Sequence, residues 1–218
     1  MNILCISDTH TKHNKIPKEW LLPADTIIHA GDISSRGYLH EIENFLKWFD
    51  SLDYTNKIFI AGNHDFGFQK FNSDNDSVMS LLQAYPNITY LMDSFVVIDG
   101  IKIYGSPWQP EFYNWAFNLK RGKPLADKWS LIPLDTDILI THGPVNGLLD
   151  MTLDGQFVGC EELLDVVSTK LNLKAHICGH IHCGYGTAYR LETTFVNAST
   201  LNERYEVMNR PIMLEITK

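Results

Sequence analysis

Short runs rich in Ile, Leu, Val and Phe recur along the chain, and several are followed by stretches in which apolar residues return every three or four positions. Runs of the first kind suit buried strands, and stretches of the second suit helices packed over them. This alternation predicts an α/β fold. The predicted strands are Asn2–Ser7, Asp25–His29, Lys57–Ile60, Ser94–Ile98, Ile101–Gly105, Thr136–Ile140 and Lys174–Cys178. Further extended stretches at Tyr185–Leu191, Thr193–Val196 and Ile212–Ile216 make the C-terminal third mostly strand. A helix over Tyr38–Leu52 would gather Leu39, Ile42, Phe45, Leu46 and Phe49 on one face, and one over Cys160–Leu171 would do so with Leu163, Leu164 and Val167. A third is expected near Asp74–Tyr85.

Between Ser106 and Leu131 no period holds, yet the segment carries Trp108, Phe112, Tyr113, Trp115, Phe117 and Trp129 among prolines and glycines. An irregular stretch of that length is uncommon without a function. Trp108, Phe117 and Trp129 could stack a base or cover an apolar ester group, with Asn118 and Arg121 adding polar contacts; the same rings could instead close the core. No repeat, low-complexity tract or linker interrupts the 218 residues, so one domain spanning 1–218 is expected.

Composition narrows the function classes. With 44% hydrophobic and 20% charged residues the chain matches soluble globular proteins, which argues against a disordered tail or a membrane protein. Lys and Arg total 18 against 26 Asp and Glu, a net charge of −8 with no basic run, which disfavours a nucleic-acid polymer as partner. A small anionic substrate remains open if something locally cationic receives it. Cys5, Cys160, Cys178 and Cys183 form no CxxC pair, and the Met1–Asp8 stretch meets an acid after one short apolar run. Neither a disulfide framework, a signal peptide nor a membrane span is expected, and the default setting is cytoplasmic.

The chemistry-bearing residues follow strands. Asp8-Thr9-His10 follows the first, Gly31-Asp32 the second, Gly62-Asn63-His64-Asp65 the third, Thr141-His142-Gly143 the sixth and Gly179-His180-Ile181-His182 the seventh. Carboxyl ends of strands in an α/β sheet open onto a crevice, so these residues are expected to converge. Any one of them has a structural alternative, as a helix cap, a turn or a core histidine. Their recurrence at five strand ends is the signal. Carboxylate, imidazole and amide donors without a thiolate suit divalent transition ions rather than a structural zinc cluster.

In order and residue type these blocks resemble the calcineurin-like metallophosphoesterase superfamily, whose pattern is Asp-x-His, Gly-Asp, Gly-Asn-His-Asp/Glu, His and Gly-His-x-His. The resemblance implies a four-layer αββα sandwich of two mixed β-sheets flanked by helices, with two divalent metal ions at the strand ends. Tyr104-Gly105-Ser106-Pro107-Trp108, Phe117-Asn118-Leu119-Lys120-Arg121-Gly122, Asp127-Lys128-Trp129 and Gly159-Cys160-Glu161-Glu162-Leu163 are similar to the metallophosphoesterase-domain-containing (MPPED) subfamily. Some members of that subfamily lack the first histidine of the Gly-His-x-His block, which here is His180.

Carried over by position, the superfamily's roles put Asp8, His10 and His182 on one metal, Asn63, His142 and His180 on the other, and Asp32 between them. Manganese is the first expectation, with Fe, Zn, Co and Ni compatible with the same donors. The implied reaction is attack on a phosphoester by a hydroxide shared between the metals, with Asp32 and His64 as the catalytic side chains and His64 as general acid. Subfamily likeness favours a phosphodiesterase on small diesters, cyclic nucleotides among them. The alternatives are a phosphomonoesterase or protein phosphatase on the same site and, remotely, a non-catalytic scaffold. Protein phosphatases of the superfamily read Gly-Asp-x-Val-Asp-Arg-Gly where this chain has Gly31-Asp32-Ile33-Ser34-Ser35-Arg36-Gly37, so their acidic residue is lost but Arg36 keeps a position from which it could grip phosphate.

Overall fold

The computed structural model describes residues 1–69 and 75–217. Its first sheet is built from β1 (Asn2–Ile6), β2 (Thr26–His29), β3 (Asn56–Phe59) and β4 (Ile88–Tyr90), parallel in that order. The final strand, β13 (Ile212–Glu215), returns antiparallel on the free edge of β1. Between these come α1 (Leu39–Asp50) and α2 (Asn75–Gln83). The Asp74 end of the third expected helix lies outside the described residues.

The second sheet takes β5 (Ser94–Ile98) and β6 (Ile101–Ser106), then β9 (Ile138–Thr141), β10 (Ala175–Cys178), β11 (Gly186–Arg190) and β12 (Thr193–Asn197). Strands run in the order β11-β12-β10-β9-β6-β5, with the inner four parallel and both edges antiparallel, so both sheets are mixed. The segment from 106 to 131 is not a bare loop. It holds a small ribbon, β7 (Gln109–Pro110) with β8 (Asn118–Leu119), and a short helix, α3 (Lys123–Trp129); α4 (Glu161–Thr169) follows β9.

Two-residue alternation produces the layers. Along β1, Ile3 and Cys5 point to an interior shared with Ile28 and Ile58 of the first sheet and Ile138, Ile140 and Ile177 of the second. Leu4 and Ile6 point the other way, onto Ile42, Phe45, Leu46 and Phe49 of α1. On the far side, Leu139 and Phe195 of the second sheet meet Leu125 and Trp129 of α3 and Leu163, Val166 and Val167 of α4. The order is helix, sheet, sheet, helix.

Within the predicted helix face Leu39 is the exception, 44% exposed at the first turn. That end is fixed instead by Glu41, whose Oε2 accepts the backbone N–H groups of Arg36 at 3.0 Å and Tyr38 at 3.1 Å. At α4 the Cys160 thiol serves as cap, accepting from the Leu163 N–H.

Candidate metal centre

The strands that bear the marked residues are parallel within each sheet, so their carboxyl ends gather at one end of the sandwich. Loops after β1, β2 and β3 deliver Asp8, His10, Asp32, Asn63 and His64, and loops after β9 and β10 deliver His142, His180 and His182. Asp8, His10 and His182 offer ligand atoms within 4.8 Å of one another, and so do Asp32, His142 and His180. A third such group, His10, Asp32 and His64, joins the two.

Asp32 sits at the centre. Its Oδ1 accepts the His64 backbone N–H at 2.8 Å, which leaves Oδ2 facing His142 Nε2 at 3.3 Å, His10 Nε2 at 3.6 Å and His64 Nε2 at 4.0 Å. The Asn63 carbonyl oxygen lies 2.9 Å from His142 Nε2, which brings the amide into the same cluster. Asp8 is held by the His180 N–H at 3.1 and 3.0 Å and by the Ser199 hydroxyl at 2.8 Å, and faces His182 Nε2 at 3.5 Å.

Three imidazoles are oriented the same way. His142 Nδ1–H donates to the Ala30 carbonyl at 3.0 Å, His182 Nδ1–H to the Asn202 carbonyl at 3.0 Å and His64 Nδ1–H to the Ser35 carbonyl at 2.9 Å. Each ring therefore turns Nε2 into the site, the arrangement that would fix a metal-ligating tautomer once Nε2 gives up its proton. His10 is 4% exposed and neither ring nitrogen has a hydrogen-bond partner, an orphaned pair that a metal on one nitrogen would relieve. The backbone is bent to bring these groups close. Asp8, His10, Asp32 and His180 hold φ values of 52°, 40°, 57° and 68°, in the left-handed region, at a cost of about 1 kcal/mol or more each. A Cβ on Gly62 would strike Asp32 and His142, and one on Gly179 would strike Asp8 and Ser7, so only glycine fits at either place.

Electrostatics divide the histidines. Burial would lower His142 and His182, but Asp32 beside the first and Asp8 beside the second outweigh it and carry both to about 9. Burial likewise works against ionised Asp8 and Asp32, yet their histidine partners, His182 and His142 first, hold both carboxyls well below the usual range. Burial dominates at His10, pushed down to about 4, and at His180, pushed down to about 3. The result is a dense cluster of carboxylate and imidazole donors.

The polypeptide matches the calcineurin-like phosphoesterase family over residues 1–184. It is also 43% identical to metallophosphoesterase domain-containing protein 1 of Homo sapiens, and of Mus musculus, over 98% of this chain and 70% of theirs. The chain belongs to the calcineurin-like phosphoesterase family. A UPF0046 protein of Caenorhabditis elegans is 38% identical over 99% of this chain and 60% of its own length. One solved structure superposes with a TM-score of 0.70 at 17% identity, covering 90% of this chain and 89% of that one, a likeness of fold. Phosphoesterases of this family use divalent metals, and the donor set of this phosphoesterase fits them in type, number and closeness.

The specificity residues fare differently. Trp108 donates its Nε1–H to Asp93 at 2.9 Å, lies under the Lys128 ammonium and packs on Phe117, away from the cleft. Asn118 spends its amide on the Phe112 and Tyr113 carbonyls at 2.9 Å each. Phe117 and Trp129 are buried at 0% and 1% exposure and close the core. Arg36 is exposed and packs its guanidinium 4.9 Å from the Trp115 ring. Of the four substrate-contact expectations, only Arg121 reaches the cleft wall, where it is held by the Val158 and Gly159 carbonyls and by Glu161.

In place of the others stand Phe112, Trp115 and Tyr205. The first two lie in the aromatic segment, but no periodicity separates them from their buried neighbours. Tyr205 belongs to a turn pinned by Asn202, whose Oδ1 accepts the Arg204 and Glu206 N–H groups; the turn follows β12, beyond every marked motif. His29 and His176, both buried, turn out to brace the ligand loops: His29 Nε2–H donates to Thr9 Oγ1 and His176 Nε2–H to Thr141 Oγ1. His13 is fully buried and paired with Asn44.

Proposed function

We propose that this phosphoesterase is a phosphodiesterase for small diesters, with residues 1–218 as one catalytic domain acting in the cytoplasm. The observation that carries the reading is a cavity and an open depression meeting at the ligand cluster. The cavity, of about 340 Å³, is walled by Pro110, Phe112, Trp115, Pro144 and Val158; the depression is open to solvent and lined by Leu153, Asp154, Cys183 and Glu203. His180, Ile181, His182, Thr152 and Tyr205 belong to both. A phosphorus atom at the ligand cluster would have room for a substituent on each side, which is what a diester needs and a monoester does not. The cavity, apolar and aromatic, suits a planar group such as a nucleobase or aryl ring, so cyclic nucleotides are among the candidates.

Asp8, His10 and His182 would hold one divalent ion, Asn63, His142 and His180 the second, and Asp32 Oδ2 would stand between them; we favour manganese. When bound, such a pair supplies positive charge to the phosphate oxygens and acidifies the attacking water. His64, with Nδ1–H fixed on Ser35 and Nε2 turned to the cluster, gives its proton to the departing oxygen as the P–O bond breaks. An exposed Arg36, packed on an indole, supports no second reading as a dianion-gripping monoesterase.

The test compares bis(4-nitrophenyl) phosphate with 4-nitrophenyl phosphate after metal stripping and reconstitution with manganese. Faster turnover of the diester is expected. On diesters with basic alkoxide leaving groups His64→Ala should lose ~10²–10⁴-fold in kcat. Preference for the monoester would move the assignment to a phosphomonoesterase, and no turnover with any divalent ion would leave a binding scaffold.

A further inference from the structure

The His64 imidazole lies against the Trp115 indole, ring centroids 4.1 Å apart and planes 28° from parallel, while the edge of His10 meets it at 4.5 Å and 80°. Together with the Nδ1–H bond to Ser35, these contacts leave the ring no free rotation. The indole is itself fixed from behind. Ala116, its neighbour in sequence, donates its backbone N–H to the Asn63 carbonyl at 3.0 Å, tying the aromatic segment to the loop that bears His64. Ala116 and Phe117 are fully buried, Phe117 turns the chain at φ 56°, and its carbonyl accepts the Gln109 N–H at 3.1 Å. Arg36 stacks on the same indole and follows the residue whose carbonyl holds His64.

We infer that Trp115 is a positioning residue for His64: stacking on the indole sets the plane of the imidazole so that Nε2 meets the departing oxygen. The inference rests on His64 as proton donor. In that step the new P–O bond forms to the attacking oxygen, the bond to the leaving oxygen breaks with its electron pair, and the proton moves from Nε2 to that oxygen. The neutral ring then regains a proton from solvent. A general acid displaced by about 1 Å loses up to ~10²-fold, so an untethered ring would forfeit most of its contribution. The aromatic segment thus has a job beyond lining the cleft.

The experiment uses the full chain loaded with manganese and a series of aryl methyl phosphodiesters whose leaving phenols span a range of acidity. His64→Ala and Trp115→Ala should both steepen the dependence of kcat on leaving-group basicity, with ~10- to 10²-fold loss for Trp115→Ala at the basic end. KM can rise with the loss of a cavity wall, but the slope of kcat is the readout: Trp115→Phe should restore it, and in kcat the double variant should be no slower than His64→Ala alone. Trp115→Leu, apolar but ringless, replaces the alanine variant should that one unfold, and must give the same steepening. A kcat loss of equal size along the whole series with no change of slope, or kcat losses that add in the double variant, would overturn the inference and make Trp115 a wall of the cavity only. A second readout needs no metal and no turnover: the His64 ring protons in the NMR spectrum of the metal-free protein should lie upfield and move downfield in Trp115→Leu. An unmoved signal refutes the stack. A moved signal with a kinetically silent His64→Ala would instead refute the proton-donor reading on which it stands.

Discussion

The two sheets contribute unlike chemistry to one site. The first supplies both carboxylates and the amide, on Asp8, Asp32 and Asn63, along with His10 and His64; the second supplies only imidazoles, on His142, His180 and His182. Each carboxylate pairs across the seam, Asp32 with His142 at 3.3 Å and Asp8 with His182 at 3.5 Å. Neither sheet alone holds the whole candidate ligand set. In the metal-free protein His142 and His182 act as counter-cations, a role they would give up to a bound metal by becoming neutral donors.

The sharpest way to break this partnership is to remove its centre. Asp32→Ala should abolish metal-dependent turnover and reduce bound metal below two per chain by elemental analysis; a variant with full activity would end the bridging assignment. Next comes Asp65, whose hydrogen bonds among the described residues all stay within the loops of the first sheet. Its carboxylate accepts from the N–H groups of Ile33 at 3.2 Å, Ser34 at 2.9 Å and Gly62 at 2.8 Å, and so ties the Asp32 loop to the Asn63 loop within the first sheet. Asp65→Ala orphans those donors and should cost about 3 kcal/mol in chemical denaturation, with ~10–100-fold weaker metal binding by titration. Unchanged metal affinity would show that the acidic half holds its shape without this knot.

The smallest effect is the pH response of the seam. His142 and His182 rise from 6.5 to about 9 in the folded, metal-free state, burial being outweighed by Asp32 and Asp8, so the folded chain holds protons that the unfolded chain releases between those values. The stabilisation is complete below about pH 6.5 and is lost as pH climbs through about 9. Melting temperatures of the metal-free protein should therefore fall over that window. At pH 7 metal loading should expel close to two protons, read by calorimetry in buffers of different ionisation heat; release of none would mean the pairs are neutral before metal arrives.

The convergence of the candidate ligands was legible because each block is local: two to four residues after a strand, in an order that survives without any knowledge of distances. The helix face of α1 was legible for the same reason, as Ile42, Phe45, Leu46 and Phe49 recur at the helical period. What sequence could not reveal depends on contacts between distant segments. β4 has three half-buried residues after a proline and owes its strand form to pairing with β3. α3 offers only Leu125 and Trp129 as buried positions over seven residues, too little for a periodic signal. Trp108 and Trp115 look alike in the chain; a hydrogen bond to Asp93 makes the first structural, and a bond from Ala116 to Asn63 carries the second to the cleft. Tyr205 reaches the site through a turn that also orients His182, a coupling no local pattern reports.

The Ser199 hydroxyl donates to Asp8 across 191 positions of sequence. A chain emerging from the ribosome presents Asp8, His10, Asp32 and Asn63 well before His180 and His182, which follow β10, exist. Until then His142 is the one candidate ligand that the second sheet has supplied. On the proposed ligand assignment, complete metal capture would be deferred until His180 and His182 are in place, and products truncated before them would be unable to assemble the centre. Ions so held would act as a removable cross-link between segments far apart in the chain. Their loss should loosen early and late strands together rather than one loop at a time.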